Sequence, residues 1–298
     1  LNELYWQASF PSLYPTNYEA APCTEAAGEI VKVPDNIIWR ESDFKVGDEV
    51  FFRLDVGQSG NLREYSVPRL SQLAHKPKRT SWVDAGATPL SSLTAWQGLF
   101  QHGVLSDKAI FGDDDACKIN EKLSVLITGA SGVVGMWAVQ LAALAGTGRI
   151  VALCSGTEAN NVRRLGATDV IDYKAQGVSE WVAMEPTEER QVDLVIDCVG
   201  GETLASCWAA VRCGGKLLSV SGNPMDAKPA DCNKELEVAK WFLVEPKGKQ
   251  LEQISKLMED GKCVTKVDSA VSFADFQQAF DKVEERRAKG KVVIKIIE

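Results

Sequence analysis

The stretch Ser124-Val-Leu-Ile-Thr-Gly-Ala-Ser-Gly-Val-Val-Gly135 decides the fold class. Five strand-forming residues run into a glycine-rich turn, and an apolar helical pattern over 133–145 starts where the turn ends. Strand, tight turn and helix in immediate succession form the setting that a dinucleotide-binding fingerprint requires. Gly129 opens the turn, with Ala130 at the first glycine position of G-x-G-x-x-G. Gly132 is expected to let the backbone approach a pyrophosphate, and Gly135 to let the helix pack closely on the strand. The N–H groups around Ser131, Gly132, Val133 and Val134, with the helix dipole, are expected to hold the phosphates.

Outward from this motif the pattern repeats. Strand-like runs at 149–154, 169–171, 193–198 and 216–221 alternate with helical patterns at 157–165 and 203–212, and 241–244 reads as a sixth strand. Such alternation predicts parallel strands joined by right-handed crossovers, with helices on both faces, in a doubly wound α/β sheet. Residues 1–95 differ. They are rich in turns, with strand-like pieces at 26–33, 49–54 and 62–67, and read as a small, mostly β domain. After the sheet, Leu251, Ile254, Leu257 and Met258 make a helical stripe stopped by Gly261. Phe273, Phe276, Phe280 and Val283 make a second stripe, and 291–297 a last strand; 106–120 reads as a polar surface insert.

Composition removes several function classes. With 33 basic against 41 acidic residues the net charge is −8, which argues against nucleic acid as a partner. No apolar run reaches the roughly 18 residues that a membrane helix needs. None of the eight cysteines forms C-x-x-C, so they read as reduced thiols in an intracellular, cytoplasmic setting. No tyrosine has lysine four residues on, and neither a P-loop nor G-x-S-x-G is present.

The second strand of the series ends Ala152-Leu-Cys-Ser-Gly-Thr157, without an acid. A carboxylate there would bind the ribose hydroxyls of NAD and repel a 2′-phosphate, so its absence favours NADPH over NADH. Ser155, Thr157 and Tyr173 are the expected hydrogen-bonding groups, with Arg163 and Arg164 nearby.

Several blocks, in order, resemble one family. They are Lys45-Val-Gly-Asp-Glu-Val50, Leu93-Thr-Ala-Trp96, the nucleotide loop itself, Leu165-Gly-Ala-Thr-Asp-Val-Ile-Asp-Tyr173, Val192-Asp-Leu-Val-Ile-Asp-Cys-Val-Gly-Gly201 and Val244-Glu-Pro246. The chain resembles the medium-chain dehydrogenase/reductases of the zinc-free quinone oxidoreductase or enoyl reductase type. The resemblance implies a GroES-like catalytic domain from 1–96 and 246–298, incomplete at its N-terminus, and a Rossmann domain at 97–245. It implies Thr94 near the nicotinamide and Asn2 as a substrate-side amide. Cys198 and Val199 would flank the adenosine ribose. Val220, Ser221, Phe242 and Leu243 would line the nicotinamide pocket, and Lys291 would approach the phosphates. Zinc-dependent relatives carry Gly-His-Glu where this chain reads Ala21-Pro-Cys-Thr-Glu25, so no metal ligand set is expected. The expected chemistry is hydride transfer from NADPH to a quinone or α,β-unsaturated carbonyl. The alternatives are a nucleotide-binding remnant without turnover, or an enoyl reductase acting on a carrier-bound thioester. A homodimer joined through 241–244 is expected, because an apolar edge strand invites pairing.

Overall fold

The computed structural model describes residues 21–34, 43–184 and 187–297. The chain divides into two units, Leu1–Leu93 with Glu245–Glu298, and Thr94–Val244.

The first unit opens with three antiparallel strands, β1 (Glu25–Glu29), β2 (Glu49–Arg53) and β3 (Leu73–His75), in that spatial order. Val50, Phe52, Leu54, Leu73 and Ile30 form their shared core. Residues 62–67, expected as a strand, are not one. The Leu62 N–H donates to the Pro22 carbonyl at 3.1 Å and the Arg63 N–H to the Asn61 carbonyl at 2.7 Å, so this backbone is spent on the loop at Pro22. β3 takes the third place in the sheet, and its three residues are too few to show an alternating pattern.

The helix α1 (Pro89–Trp96) begins in the first unit and ends in the second, whose first residue is Thr94. The expected polar insert contains a second helix, α2 (Asp114–Asn120). Asp113 caps it by accepting from the Ala116 N–H at 2.9 Å, and Asp114 and Asp115 suit the positive end of its dipole. The large sheet follows: β4 (Ser124–Thr128), α3 (Val133–Leu144), β5 (Arg149–Cys154), α4 (Ala159–Arg164), β6 (Asp169–Asp172), α5 (Val178–Ala183), β7 (Val192–Asp197), α6 (Gly201–Ala210), β8 (Val211–Ser219) and β9 (Val238–Trp241). All neighbours are parallel, in the order β6-β5-β4-β7-β8-β9. This is the doubly wound arrangement, and the order reverses between β4 and β7. Every residue of β4 is buried, as both faces of a central parallel strand must be. Leu126, Val151, Val195 and Leu217 from four strands meet Trp181, Leu204 and Trp208 from α5 and α6 on one face.

The edge strand lies three residues earlier than the expected 241–244. Lys216, Leu217, Leu218 and Ser219 pair with Val238, Ala239, Lys240 and Trp241. The more apolar residues that follow turn inward instead, burying Phe242 and Val244, while the edge itself carries Lys240.

The chain then returns to the first unit. Helix α7 (Gly248–Glu259) buries Leu251, Ile254, Leu257 and Met258 and packs on β3. The His75 N–H donates to Glu252 Oε1 at 2.7 Å, and the Ser255 hydroxyl to the His75 carbonyl at 2.7 Å. A parallel pair closes the unit: β10 (Val267–Ser272), absent from the sequence reading, α8 (Phe276–Glu284) as crossover, and β11 (Lys291–Lys295). Among the described residues no helix is long and apolar enough to cross a membrane.

Candidate functional site

A doubly wound sheet leaves a crevice at the carboxyl ends of the strands where its order reverses, here between β4 and β7. The turn after β4 lies there. Gly129 adopts a left-handed φ of 58°, and a Cβ on it would meet Val199 Cγ2 at 3.2 Å and Cys198 Cβ at 3.6 Å, both on the turn after β7. Gly132 is the N-cap of α3 and donates its N–H to the Gly129 carbonyl at 2.8 Å. A Cβ on Gly135 would strike backbone: the Gly129 carbonyl oxygen, and the Ala130 Cα at 2.7 Å. Helix and turn are therefore in direct main-chain contact. The N-cap Gly132 has no side chain to cap α3, and no acid stands in the helix's first turn. The N–H groups of Val133, Val134 and Gly135 have no intrahelical acceptor by helix geometry, and Ser131 and Gly132 border them. A helix start that lacks both a cap and an acid, approached by bare backbone, fits a diphosphate group.

A buried carboxylate that the sequence reading passed over holds this region in shape. Asp197, the last residue of β7, is fully buried. It accepts from the Thr128 hydroxyl at 2.7 Å, the Ser219 hydroxyl at 2.7 Å, the Val199 N–H at 3.2 Å and the Gly200 N–H at 3.0 Å. Thr128 Oγ1 in turn accepts from the Cys198 N–H at 2.9 Å, and Ser219 Oγ from the Ser221 and Gly222 N–H groups at 3.0 and 3.2 Å. One carboxylate thus links the ends of β4, β7 and β8 and fixes the turns at Cys198–Val199 and Val220–Ser221. The available signal was an acid inside the apolar run Leu194-Val-Ile-Asp197, since a charge is tolerated there only with partners.

The ends of β5 and β6 gather the three residues expected near a 2′-phosphate. The Ser155 and Thr157 hydroxyls are bonded to each other at 2.9 Å. The Tyr173 N–H donates to the Cys154 carbonyl at 3.1 Å, and its ring is exposed. The end of β5 carries no acid, as expected, but the neighbouring strand brings one close. The register pairs Cys154 with Asp172, and the Asp172 carboxylate lies against Gly156.

The other expected residues divide between the units. Val220 and Ser221 follow β8, Phe242 and Leu243 follow β9, and Phe242 approaches Gly98, whose added Cβ would lie 3.3 Å from its ring. Thr94 is buried in α1. Lys291 belongs to the first unit, where its ammonium is paired with the Glu25 carboxylate, and Glu25 also accepts from the Leu90 N–H at 2.7 Å. Asn2 lies outside the described residues. Among the described residues no group of three or more His, Cys, Asp or Glu is placed to hold a metal ion.

All eight cysteines are free thiols. Burial pushes the Cys198 thiol far above its ordinary range, with the Asp197 charge adding to it. Burial does the same for Cys207, and pushes Cys263 up to about 12. Burial, then the charges of Glu158 and Asp172, raise Cys154, with Arg163 opposing. The thiolate is the reacting form. Alkylation with iodoacetamide near neutral pH, read by mass spectrometry, should therefore label exposed Cys213 first and leave Cys154, Cys198, Cys207 and Cys263 intact until the chain is unfolded.

Comparison with known proteins agrees with the geometry. A family model described as "Zinc-binding dehydrogenase" matches residues 165–294. The chain is 39% identical over 295 residues to a protein of Arthroderma benhamiae named "Probable zinc-binding oxidoreductase, mitochondrial", covering 99% of this chain and 84% of that one. It is 30% identical to "Quinone-oxidoreductase QR1, chloroplastic" of Triphysaria versicolor, over 99% of this chain and 86% of the relative. It is 29% identical to "NAD(P)H oxidoreductase RTN4IP1, mitochondrial" of Danio rerio, over 92% and 71%. Among solved structures, an alcohol dehydrogenase superfamily protein from Novosphingobium aromaticivorans superposes with a TM-score of 0.76 at 25% identity, over 99% of this chain and 88% of that one. A parallel six-stranded sheet in this order, a glycine turn at its switch point and relatives matched along nearly the whole chain lead to one statement: the protein belongs to the medium-chain dehydrogenase/reductase superfamily, in the group of quinone and zinc-binding oxidoreductases.

Proposed function

We propose that the chain binds a reduced nicotinamide dinucleotide across the carboxyl ends of its parallel strands and passes hydride to a quinone or an α,β-unsaturated carbonyl compound, without zinc. The observation that carries this reading is the turn at 129–135, where backbone meets backbone and an uncapped helix start faces the crevice. Relatives named as NAD(P)H and quinone oxidoreductases support it. When bound, the nicotinamide supplies hydride from its C4 to an electrophilic carbon.

The chain's own residues bind and orient. The N–H groups at Val133 and Val134 and the dipole of α3 hold the pyrophosphate. Cys198 and Val199 wall the adenosine ribose, in positions set by the Asp197 hydrogen bonds. Val220, Ser221, Phe242 and Leu243 shape the nicotinamide pocket and exclude water. The Thr94 hydroxyl donates a hydrogen bond to the oxyanion that develops on the acceptor. Holding two planar reactants face to face supplies much of the acceleration. Zinc appears in the family description and in one relative's name, but the donors here do not suit it. Cys23 and Glu25 stand where zinc-dependent relatives place their ligand segment, and the Glu25 carboxylate is already engaged by Lys291 and the Leu90 N–H.

Mixing the chain with NADH or NADPH and a panel of quinones and enones should oxidise the nicotinamide, at a rate that a zinc chelator leaves unchanged. Nucleotide that binds but is never oxidised by any acceptor would mark a binding protein without turnover. Free thiols support a reducing compartment; cytoplasm is the sequence expectation, whereas the relatives above are named as mitochondrial or chloroplastic. β9 lies at the edge of the large sheet, and a homodimer joined there is part of this proposal. Light scattering at micromolar concentration should return twice the 32.4 kDa chain mass; the monomer mass would refute the dimer.

A further inference from the structure

We infer that His102 is a positioning residue for hydride transfer: held as one tautomer by Lys240, it seats the Phe242 ring and, through that ring, the nicotinamide. The inference rests on the nucleotide site proposed above and names what orients its nicotinamide end. Directly after α1 the chain widens into a π turn, Gln97–Gln101, closed by the His102 N–H donating to the Gln97 carbonyl at 2.8 Å. Such turns are rare and frequently mark functional sites. This one lies against Phe242. The His102 ring packs on the Phe242 ring with centroids 5.0 Å apart and planes at 59°. Gly98 meets the tip of the same ring: a Cβ there would lie 3.3 Å from Phe242 Cζ.

The strand β9 supplies the other half of the arrangement. The Phe242 N–H donates to the Ser219 carbonyl at 3.1 Å, so the extended backbone continues to Phe242. Side chains alternate along such a backbone, which puts Lys240 and Phe242 on one side. The Lys240 ammonium meets His102 Nδ1 at 3.1 Å. An ammonium has donors only, so Nδ1 accepts and the ring proton sits on Nε2. The imidazole is therefore neutral, in one tautomer and one orientation. Lys216 of β8 holds the chain just beyond it, donating to the Gly103 carbonyl at 3.1 Å and pairing with Glu237 at 3.1 Å. Phe242 is buried, with Gly98 at its tip and His102 against its ring. A ring seated in this way fixes one wall of the pocket that it shapes. The position of that wall matters, because a displacement of about 1 Å at the reacting atoms can cost about a hundredfold in rate.

The test compares the 298-residue chain with His102→Ala, Lys240→Met and Lys240→Arg. Each is titrated calorimetrically with the tighter-binding of NADH and NADPH, and with the matching ADP-ribose, which lacks the nicotinamide. The emission of the bound dihydronicotinamide is recorded, and kcat is measured with the best acceptor of the quinone and enone panel. H102A is expected to bind the ADP-ribose as the parent does, to lose about tenfold in kcat, and to shift the emission toward that of free nucleotide. K240M should show the same pattern more weakly, and the double variant no more than H102A alone. K240R, which still donates to Nδ1, should recover the parental values. Parental kcat and emission in a folded H102A chain overturn the inference, as does an equal loss of affinity for dinucleotide and ADP-ribose, which a purely structural role would produce. Where the parent binds dinucleotide but reduces no acceptor, the proposed turnover fails, and an unchanged emission in H102A then overturns the inference separately. Binding of neither dinucleotide by the parent removes the site, and the inference with it.

Discussion

Gly135→Val is expected to abolish nucleotide binding and to destabilise the fold by about 3 kcal/mol, the upper range for overpacking. At Gly135 the nearest obstruction is main chain of the turn, with the Gly129 carbonyl and the Ala130 Cα at 2.7 Å in the way. A flexible side chain could turn aside, but two backbone segments cannot without moving α3 off the turn. Such movement displaces the N–H groups of Val133 and Val134 from the crevice, so affinity falls even where the fold survives. Gly177→Ala is the control, because a Cβ there meets nothing within 4 Å and its φ of −80° suits any residue. That variant should stay within about 0.5 kcal/mol of the parent. Chemical denaturation and dinucleotide titration on both variants separate the two effects; a G135V chain with parental stability and affinity would sink the close-packing argument.

Asp197→Ala should be the more damaging change to stability, at about 3–5 kcal/mol, because hydrogen bonds to a buried charged group are strong and their loss strands donors. The Thr128 and Ser219 hydroxyls can rotate to other acceptors, but the Val199 and Gly200 N–H groups are fixed in the turn they cap. Asp197→Asn keeps the shape and one acceptor, and should lose roughly half as much. Thr128→Val removes one donor to the carboxylate and the acceptor for the Cys198 N–H, and should lose about 1–2 kcal/mol. The ordering Ala, Asn, then Val at 128 is the signature of a network, and denaturation midpoints measure it. A neutral Asp197→Ala would show that the three strand ends are held by packing instead.

The large sheet was legible because each of its strands is a local pattern. Ser124–Thr128 carries its own turn, its own helix start and continuous apolar character, so no distant residue was needed to read it. Asp172 was not legible for the opposite reason. Its place beside Gly156 depends on which residue of β6 pairs with Cys154, and a shift of one residue would turn the carboxylate to the other face of the sheet. Asp197 stood in plain view, but its donors lie on β4 and β8, 69 and 22 positions away. β3 and β10 escaped notice because one is short and the other, Val-Asp-Ser-Ala-Val-Ser, is too polar to stand out before its partner β11 is known. Segment 62–67 shows the reverse error: the right residue types for a strand, with their backbone groups already taken by a loop.

The first unit is assembled from the two ends of the chain, and its strand β3 is roofed by α7 from beyond residue 245. Synthesis runs from one end to the other, and segments fold as they emerge from the ribosome. The 151 consecutive residues of Thr94–Val244 can complete their sheet while translation continues. β1–β3 must wait, with β3 unroofed until α7 arrives to pack on it. For that interval the nascent chain is half folded and half sticky. A premature stop near residue 245 would leave it so permanently, as a sheet with its hydrophobic side open and a natural client for chaperones.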